Sequence, residues 1–76
     1  MKDDEKRFLI DVYMHCRTPD RFPRHMINRK DFYMHPKRAH YLLSKWADKG
    51  WYTWGVTMDL GWLTDKGKKK AEELFV

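Results

Sequence analysis

The sequence predicts a mainly helical α+β fold, and three observations support this prediction. Apolar residues recur at helical spacing in three separate stretches. A stretch that begins at residue 51 is rich in aromatic and β-branched residues, as is typical of a β-hairpin. The chain has 76 residues, which is the length of one small domain. We therefore expect a single domain over residues 1–76, with three to four helices and a hairpin in the C-terminal half.

A first helix is predicted at 4–16. Acidic residues open it, at the end where the helix dipole favours negative charge. Its apolar positions recur at helical spacing and are Phe8, Leu9, Val12, Tyr13 and Cys16. Prolines follow, and a residue before proline is disfavoured in the α region. The sequence therefore predicts a basic loop at 17–24 and a short extended segment at 25–27.

Two further helices are predicted before the hairpin. The first, at 29–34, would have Asn28 as its N-cap and Asp31 in the position of a capping box. The second, at 36–49, begins with a proline at the first helical position and ends on a lysine and a glycine. The apolar stripe of this second helix consists of Ala39, Leu42, Leu43, Trp46 and Ala47.

The last third of the chain predicts a hairpin and a final helix. The strands would be 51–56 and 60–63, joined by the short connection 57–59. Thr64 would cap a helix at 65–75, in which Ala71, Leu74 and Phe75 form an apolar stripe.

Two stretches resemble the winged helix-turn-helix domain. Residues 36–46, PKRAHYLLSKW, resemble its recognition helix, and residues 63–67, LTDKG, are similar to the LTxKG that follows the wing in many bacterial members. With the hairpin between them, the likeness covers about 28–75. It implies a small bacterial or phage protein that binds double-stranded DNA and regulates transcription or phage DNA, with the hairpin as the wing.

The distribution of charge agrees with a polyanion partner. Residues 17–45 hold eight lysines and arginines against two aspartates, a net charge of +6, while the whole chain carries +5. Such clustering favours nucleic acid, although a solvated surface is the simpler alternative.

The side of the 36–49 helix opposite its apolar stripe is centred on Lys37, Tyr41, Ser44 and Asp48. Arg38 and Lys45 lie on one flank of this side and His40 lies on the other. Lysine and arginine can contact phosphates or guanine edges, and hydroxyl groups can donate to phosphates. We also expected a phosphate at the N-terminus of the 29–34 helix. The residues predicted to contact DNA are Arg29, Lys30, His35, Lys37, Arg38, His40, Tyr41, Ser44 and Lys45.

The hairpin favours a second function. Residues 51–63 contain no lysine or arginine, although a wing that holds DNA is usually basic. Three roles are open for its tryptophans. They complete a small core, they stack on single-stranded nucleic acid, or they contact a protein. The alternative function is therefore a protein-interaction module that uses this hairpin. A homodimer is also predicted, through the first helix (Leu9, Ile10, Tyr13, Met14) or the C-terminal residues 74–76.

Composition and residue spacing lead us to expect that several classes of protein are excluded. The hydrophobic fraction of 42% is too high for a disordered chain, and no apolar run exceeds three residues, so we expect no membrane span. Cys16 is the only cysteine, which rules out an intrachain disulfide and favours the cytoplasm. The histidines lack metal-site spacing, and no catalytic set is visible. We therefore expect no enzyme, no metal and no cofactor.

Overall fold

The computed structural model describes residues 1–16 and 20–75. Residues 17–19 of the predicted basic loop and the C-terminal Val76 lie outside the described residues. Within the described part, four helices and one antiparallel hairpin form a mainly helical α+β fold, as predicted. The elements are α1 (Asp3–His15), α2 (Pro23–Ile27), α3 (Pro36–Asp48), β1 (Tyr52–Trp54), β2 (Gly61–Leu63) and α4 (Asp65–Glu73).

The core lies between α1, α3, the hairpin and α4. The apolar stripes predicted for α1 and α3 are the faces that these two helices turn towards the core. Trp46 is the largest fully buried side chain. Burying one such side chain contributes about 1.5–3 kcal/mol. The buried hydrophobic residues are Phe8, Leu9, Val12, Ile27, Ala39, Leu42, Leu43, Trp46, Trp51, Tyr52, Leu63 and Ala71.

The ends of α3 are where the sequence predicted them. Pro36 begins the helix, and the His35 side chain accepts a hydrogen bond from the backbone N–H of Lys37 at 3.1 Å. At the other end, Gly50 has φ +79°, a conformation that glycine adopts without strain. The backbone N–H of Trp51 then donates to the Trp46 carbonyl at 2.8 Å, which closes a Schellman motif.

The stretch between Phe22 and His35 differs from the prediction. A short helix, α2, occupies part of the predicted loop and the predicted extended segment. Pro23 is its first residue, and proline is favoured at the first position of a helix. Asn28 is the C-cap of α2 rather than the N-cap of a next helix, and 29–34 forms turns. Tertiary contacts hold these turns: the Phe32 ring lies 5.6 Å from Phe8, measured between ring centroids.

The hairpin is shorter than predicted. The strands pair Tyr52 with Leu63 and Trp54 with Gly61, and the residues between them form a connection rather than longer strands. That connection is tied down from both sides, because the Tyr52 hydroxyl donates to the Met58 carbonyl at 2.6 Å. On the other side, the backbone N–H of Arg24 donates to the Asp59 carbonyl at 3.0 Å.

The LTDKG stretch, residues 63–67, holds the start of α4 against the end of α3. The Thr64 hydroxyl caps α4 by accepting from the backbone N–H of Gly67 at 3.1 Å, and it donates to the Gly50 carbonyl at 2.6 Å. A Cβ atom at Gly67 would collide with the Trp51 carbonyl. The motif is therefore a close helix-to-hairpin contact, and it fixes α4 against the rest of the fold.

Candidate nucleic-acid interface

The predicted site is centred on the side of α3 that faces away from the core. We call this side the outer face and define it as Lys37, Tyr41, Ser44 and Asp48. Lys37, Tyr41 and Asp48 are exposed, with 58% of Tyr41 accessible, and Ser44 is half-buried. Among the described residues, no carboxylate lies within 4.0 Å of the Lys37 ammonium. The outer face can therefore offer a cation and several hydrogen-bonding groups to a ligand.

Arg38 lies on the flank of α3 that faces α1, and its guanidinium is already bound. It donates to both carboxylate oxygens of Asp4, from Nε at 3.0 Å and from a terminal nitrogen at 3.2 Å. The hydrogen bond from Arg38 holds the pKa of Asp4 below its usual value, and the same bond raises the pKa of Arg38. Asp4 therefore already compensates the charge of Arg38 and engages two of its five N–H donors.

Lys45 lies two turns further along the same flank and is also bound. Its ammonium is 3.2 Å from Oε1 of Glu5, and the Trp46 indole N–H donates to Oε2 of Glu5 at 3.0 Å. Glu5 is only 2% exposed, so this carboxylate serves α3 alone. The acidic start of α1 was assigned only to the helix dipole; its second role, holding α3, was missed.

The opposite flank of α3 faces the hairpin. There Asp59 accepts two hydrogen bonds from the Arg24 guanidinium, at 2.9 Å and 3.0 Å, and its Oδ2 lies 3.8 Å from the Nε2 atom of His40. The hydrogen bond from Arg24 lowers the pKa of Asp59 to about 2. The one charged residue of the hairpin therefore anchors it to α2.

These pairs change the charge that the central segment presents. Arg24, Arg38 and Lys45 are bound by carboxylates that lie outside residues 17–45. The net charge of +6 along residues 17–45 therefore does not appear as an equally positive surface on the folded protein. Among the described cations of this segment, those left exposed and without a carboxylate within 4.0 Å are Arg21, Lys30 and Lys37.

The residues that precede α3 lie in turns. Arg29 is 3.3 Å from Asp31, and both side chains are mostly exposed. No helix begins at Arg29 and Lys30, so the expectation of a helix N-terminus that binds phosphate there was wrong. Phe32 and Tyr33 are held by tertiary contacts instead, and this removes the predicted helix.

The hairpin exposes part of its aromatic surface. Trp54 is 41% exposed, Trp62 is 51% exposed and Val56 is 87% exposed, whereas Trp51 and Tyr52 belong to the core. Trp62 stands opposite Thr53 on the side of the sheet that faces away from the core. Trp54 and Trp62 are therefore not buried in the core. The sequence alone had left open whether they would be.

The first helix and the C-terminus meet at one surface. The Tyr13 ring lies 5.8 Å from the Phe75 ring, between centroids, and its hydroxyl donates to Glu72 at 2.8 Å. Met14 and Phe75 are each about half exposed. Leu9, which was expected to widen the exposed stripe, is fully buried and belongs to the core.

In the described ranges 1–16 and 20–75, no group of three histidine, cysteine or acidic side chains could hold a metal ion. No helix in those ranges has the length and apolar character needed to cross a membrane. Burial raises the pKa of the Cys16 thiol to about 11, so this thiol stays protonated at neutral pH.

No protein-family model, curated protein or solved structure matches this chain. The function proposed for it therefore depends on its own geometry and charges.

Proposed function

We propose that this chain is a winged helix-turn-helix protein that binds double-stranded DNA through the outer face of α3. The order of its elements supports the proposal, with α2 and α3 as the helix-turn-helix pair and the β1–β2 hairpin as the wing. The observation that carries it is the outer face itself, where Lys37 and Tyr41 stand exposed on a helix whose opposite side is fully buried. A helix presented in this way fits the major groove of DNA.

The predicted contacts have different roles in this proposal. Lys30 and Lys37 are exposed, have no carboxylate partner among the described residues, and suit phosphates. The polar groups of His40, Tyr41 and Ser44 can donate to phosphates or base edges. His35 is the N-cap of α3, and Arg29 lies in the turns that precede this helix.

Arg38 and Lys45 contribute less to DNA binding than their charge suggests. The charge of each is already compensated by a carboxylate of α1, so a phosphate gains less from it. We therefore assign them chiefly to positioning α3 against α1. The whole is a binding protein rather than an enzyme. Its proposed role is regulation of transcription or of phage DNA in the cytoplasm.

A salt series tests this function. Fluorescence anisotropy with a labelled 20-base-pair duplex should give an affinity that falls with salt, at a log–log slope near −0.9 per phosphate neutralised. Lys37→Ala should make the slope shallower by about 1. The matched control is Lys69→Ala, an exposed lysine on α4, which packs chiefly against α1 and β2. A flat salt response, or equal effects of the two variants, would contradict the proposal.

The exposed hairpin supports a second candidate, a protein-interaction module. Trp54 and Trp62 are exposed on opposite faces of the hairpin, and with Val56 they leave apolar side chains accessible in a segment that has no cation to hold a phosphate. A photo-crosslinking residue at position 56 should capture a partner protein in cells, and Trp54→Ala with Trp62→Ala should abolish the capture. A crosslinker at position 68 on α4 is the control. Crosslinks to nucleic acid alone would contradict this candidate.

A homodimer remains our proposal for how so small a protein selects a site. One recognition helix covers few base pairs, and a two-fold pair doubles the contact. The half-exposed Met14 and Phe75, beside the Tyr13 ring, offer the surface. Light scattering should show mass above 9.4 kDa as the protein concentration rises. A constant monomer mass, with and without DNA, excludes the dimer.

A further inference from the structure

A cavity of about 370 Å³ lies between α1, α2 and the turns that follow α2. Cavities that bind small molecules measure roughly 300–1,000 Å³, so this one is large enough for a ligand. No residue of α3 lines it. It is therefore a separate feature from the outer face.

The inner wall of the cavity is aromatic and apolar. Phe22, Met26, Phe32 and Tyr33 line it and are all half-buried. The centroids of the Phe32 and Tyr33 rings are 4.8 Å apart, which makes one continuous aromatic wall. The protonated Cys16 thiol adds a neutral surface. This wall suits a flat, apolar group.

The rim of the cavity carries more positive charge than its aspartates balance. Three arginines and two aspartates line it, together with two exposed histidines. The Arg7 guanidinium lies 3.8 Å above the Tyr33 ring, and its Nε is 3.9 Å from Asp11. Asp11 is itself occupied, because it accepts the Tyr33 hydroxyl at 2.6 Å.

Arg21 supplies the excess charge. Arg29 is paired with Asp31, while no carboxylate of the described chain lies within 4.0 Å of the exposed Arg21. The rim therefore offers one arginine fork to an incoming oxyanion, and arginine forks bind carboxylates and phosphates through paired hydrogen bonds.

We propose that this cavity binds a small aromatic molecule that bears a carboxylate or a phosphate. The ring lies against Phe22 and Phe32, and the oxyanion contacts Arg21. The aromatic wall and the rim charge are two separate observations, and they point to the two halves of one ligand.

Four probes test the ligand class by isothermal titration calorimetry on the full chain without DNA. The aromatic anions are 2-naphthoate and 2-naphthyl phosphate. The controls are 2-naphthalenemethanol, which has the ring without the charge, and inorganic phosphate, which has the charge without the ring. We expect saturable 1:1 binding of at least one aromatic anion, and the tighter of the two identifies the oxyanion. Both controls should bind about tenfold more weakly or not at all.

Amide shifts in ¹H–¹⁵N spectra should locate the ligand. The largest shifts are expected at Cys16, Arg21 and Phe22, which line the cavity. Shifts centred on Trp54 and Trp62 would place the probe on the exposed hairpin and overturn the proposal.

A matched pair of variants tests the rim. Arg21→Ala should weaken binding of the aromatic anion about tenfold, since it removes a charged hydrogen bond. Lys69→Ala removes an exposed cation of α4 that does not line the cavity and should leave the affinity within twofold. Circular dichroism should show both variants folded. No saturable binding of either anion, equal binding of the neutral ring, or equal effects of the two variants would each overturn the proposal. None of these measurements depends on DNA binding.

Discussion

The flank of α3 that faces α1 and the outer face of the same helix carry similar side chains and differ in what holds them. On the flank, Arg38 and Lys45 are bound by Asp4 and Glu5. On the outer face, Lys37 has no such partner among the described residues. The difference shows that a count of cations along a helix overstates its capacity for nucleic acid. A cation whose charge a carboxylate already compensates neutralises a phosphate less effectively, and so contributes less to counterion release when DNA binds.

The geometry of the two helices explains the flank. Arg38 and Lys45 are seven residues apart, which places them two turns apart on one side of α3. The first turn of α1 presents two successive carboxylates to that side, and Glu5 also accepts from the buried Trp46 indole. The acidic residues thus satisfy the dipole of α1 and fix the orientation of α3 at the same time.

The largest expected effect lies on the buried side of α3. Trp46→Ala should destabilise the fold by about 3–5 kcal/mol, because it empties the largest fully buried site. Tyr41→Ala on the exposed outer face should change stability by no more than about 0.5 kcal/mol. Urea unfolding of both variants measures the contrast. Similar losses of stability would mean that the outer face is covered rather than free.

The next effect concerns the carboxylate that joins α1 to α3. Glu5→Ala should cost about 1–3 kcal/mol, because it leaves the buried Trp46 indole N–H without an acceptor. Asp3→Ala is the matched control, since it removes an exposed acid from the same helical turn. Equal losses in urea unfolding would reduce the role of Glu5 to the helix dipole.

Much of this arrangement could be predicted from local signals. Pro36 and Gly50 fix the ends of α3, and Thr64 fixes the start of α4, so those elements match the prediction closely. The apolar stripe of α3 identified its buried and outer faces correctly. Such signals depend on a few neighbouring residues and hold in any context.

The rest required contacts that are distant in sequence. The turns at 29–34 replace a predicted helix because Phe32 packs against Phe8 and Tyr33 donates to Asp11. The partners of Arg38 and Lys45 lie 34 and 40 residues away. A helical wheel places these cations on a flank, but it cannot tell which element covers that flank.

The other flank of α3 gives a smaller effect that depends on pH. Arg24 lowers the pKa of Asp59 to about 2 from a usual 3.8. Since the folded-state pKa is depressed, the stabilisation is fully present above about pH 4 and is lost as the pH falls towards 2. Asp59→Asn should therefore cost about 1 kcal/mol at pH 6 and almost nothing at pH 2, as measured by urea unfolding. A cost that stays constant with pH would show that the Asp59 charge stabilises nothing.

The smallest expected effect is the sharpest test of the comparison, and it concerns the pair of Arg38 and Asp4. Asp4→Asn keeps the shape of the side chain and removes the charge that holds Arg38. If Arg38 is withheld from DNA by this carboxylate, the variant should bind a duplex a few-fold more tightly at low salt, with a salt slope steeper by up to about 0.9. Asp3→Asn is the control, because it removes the same charge from the neighbouring exposed position and releases no arginine. Arg38→Ala should then lower stability while changing duplex affinity less than Lys37→Ala does. Two results together would contradict this. Asp4→Asn and Asp3→Asn would bind the duplex alike, and Arg38→Ala would weaken binding as much as Lys37→Ala does. Arg38 would then contact DNA despite its carboxylate partner. The flank and the outer face would then form one binding surface.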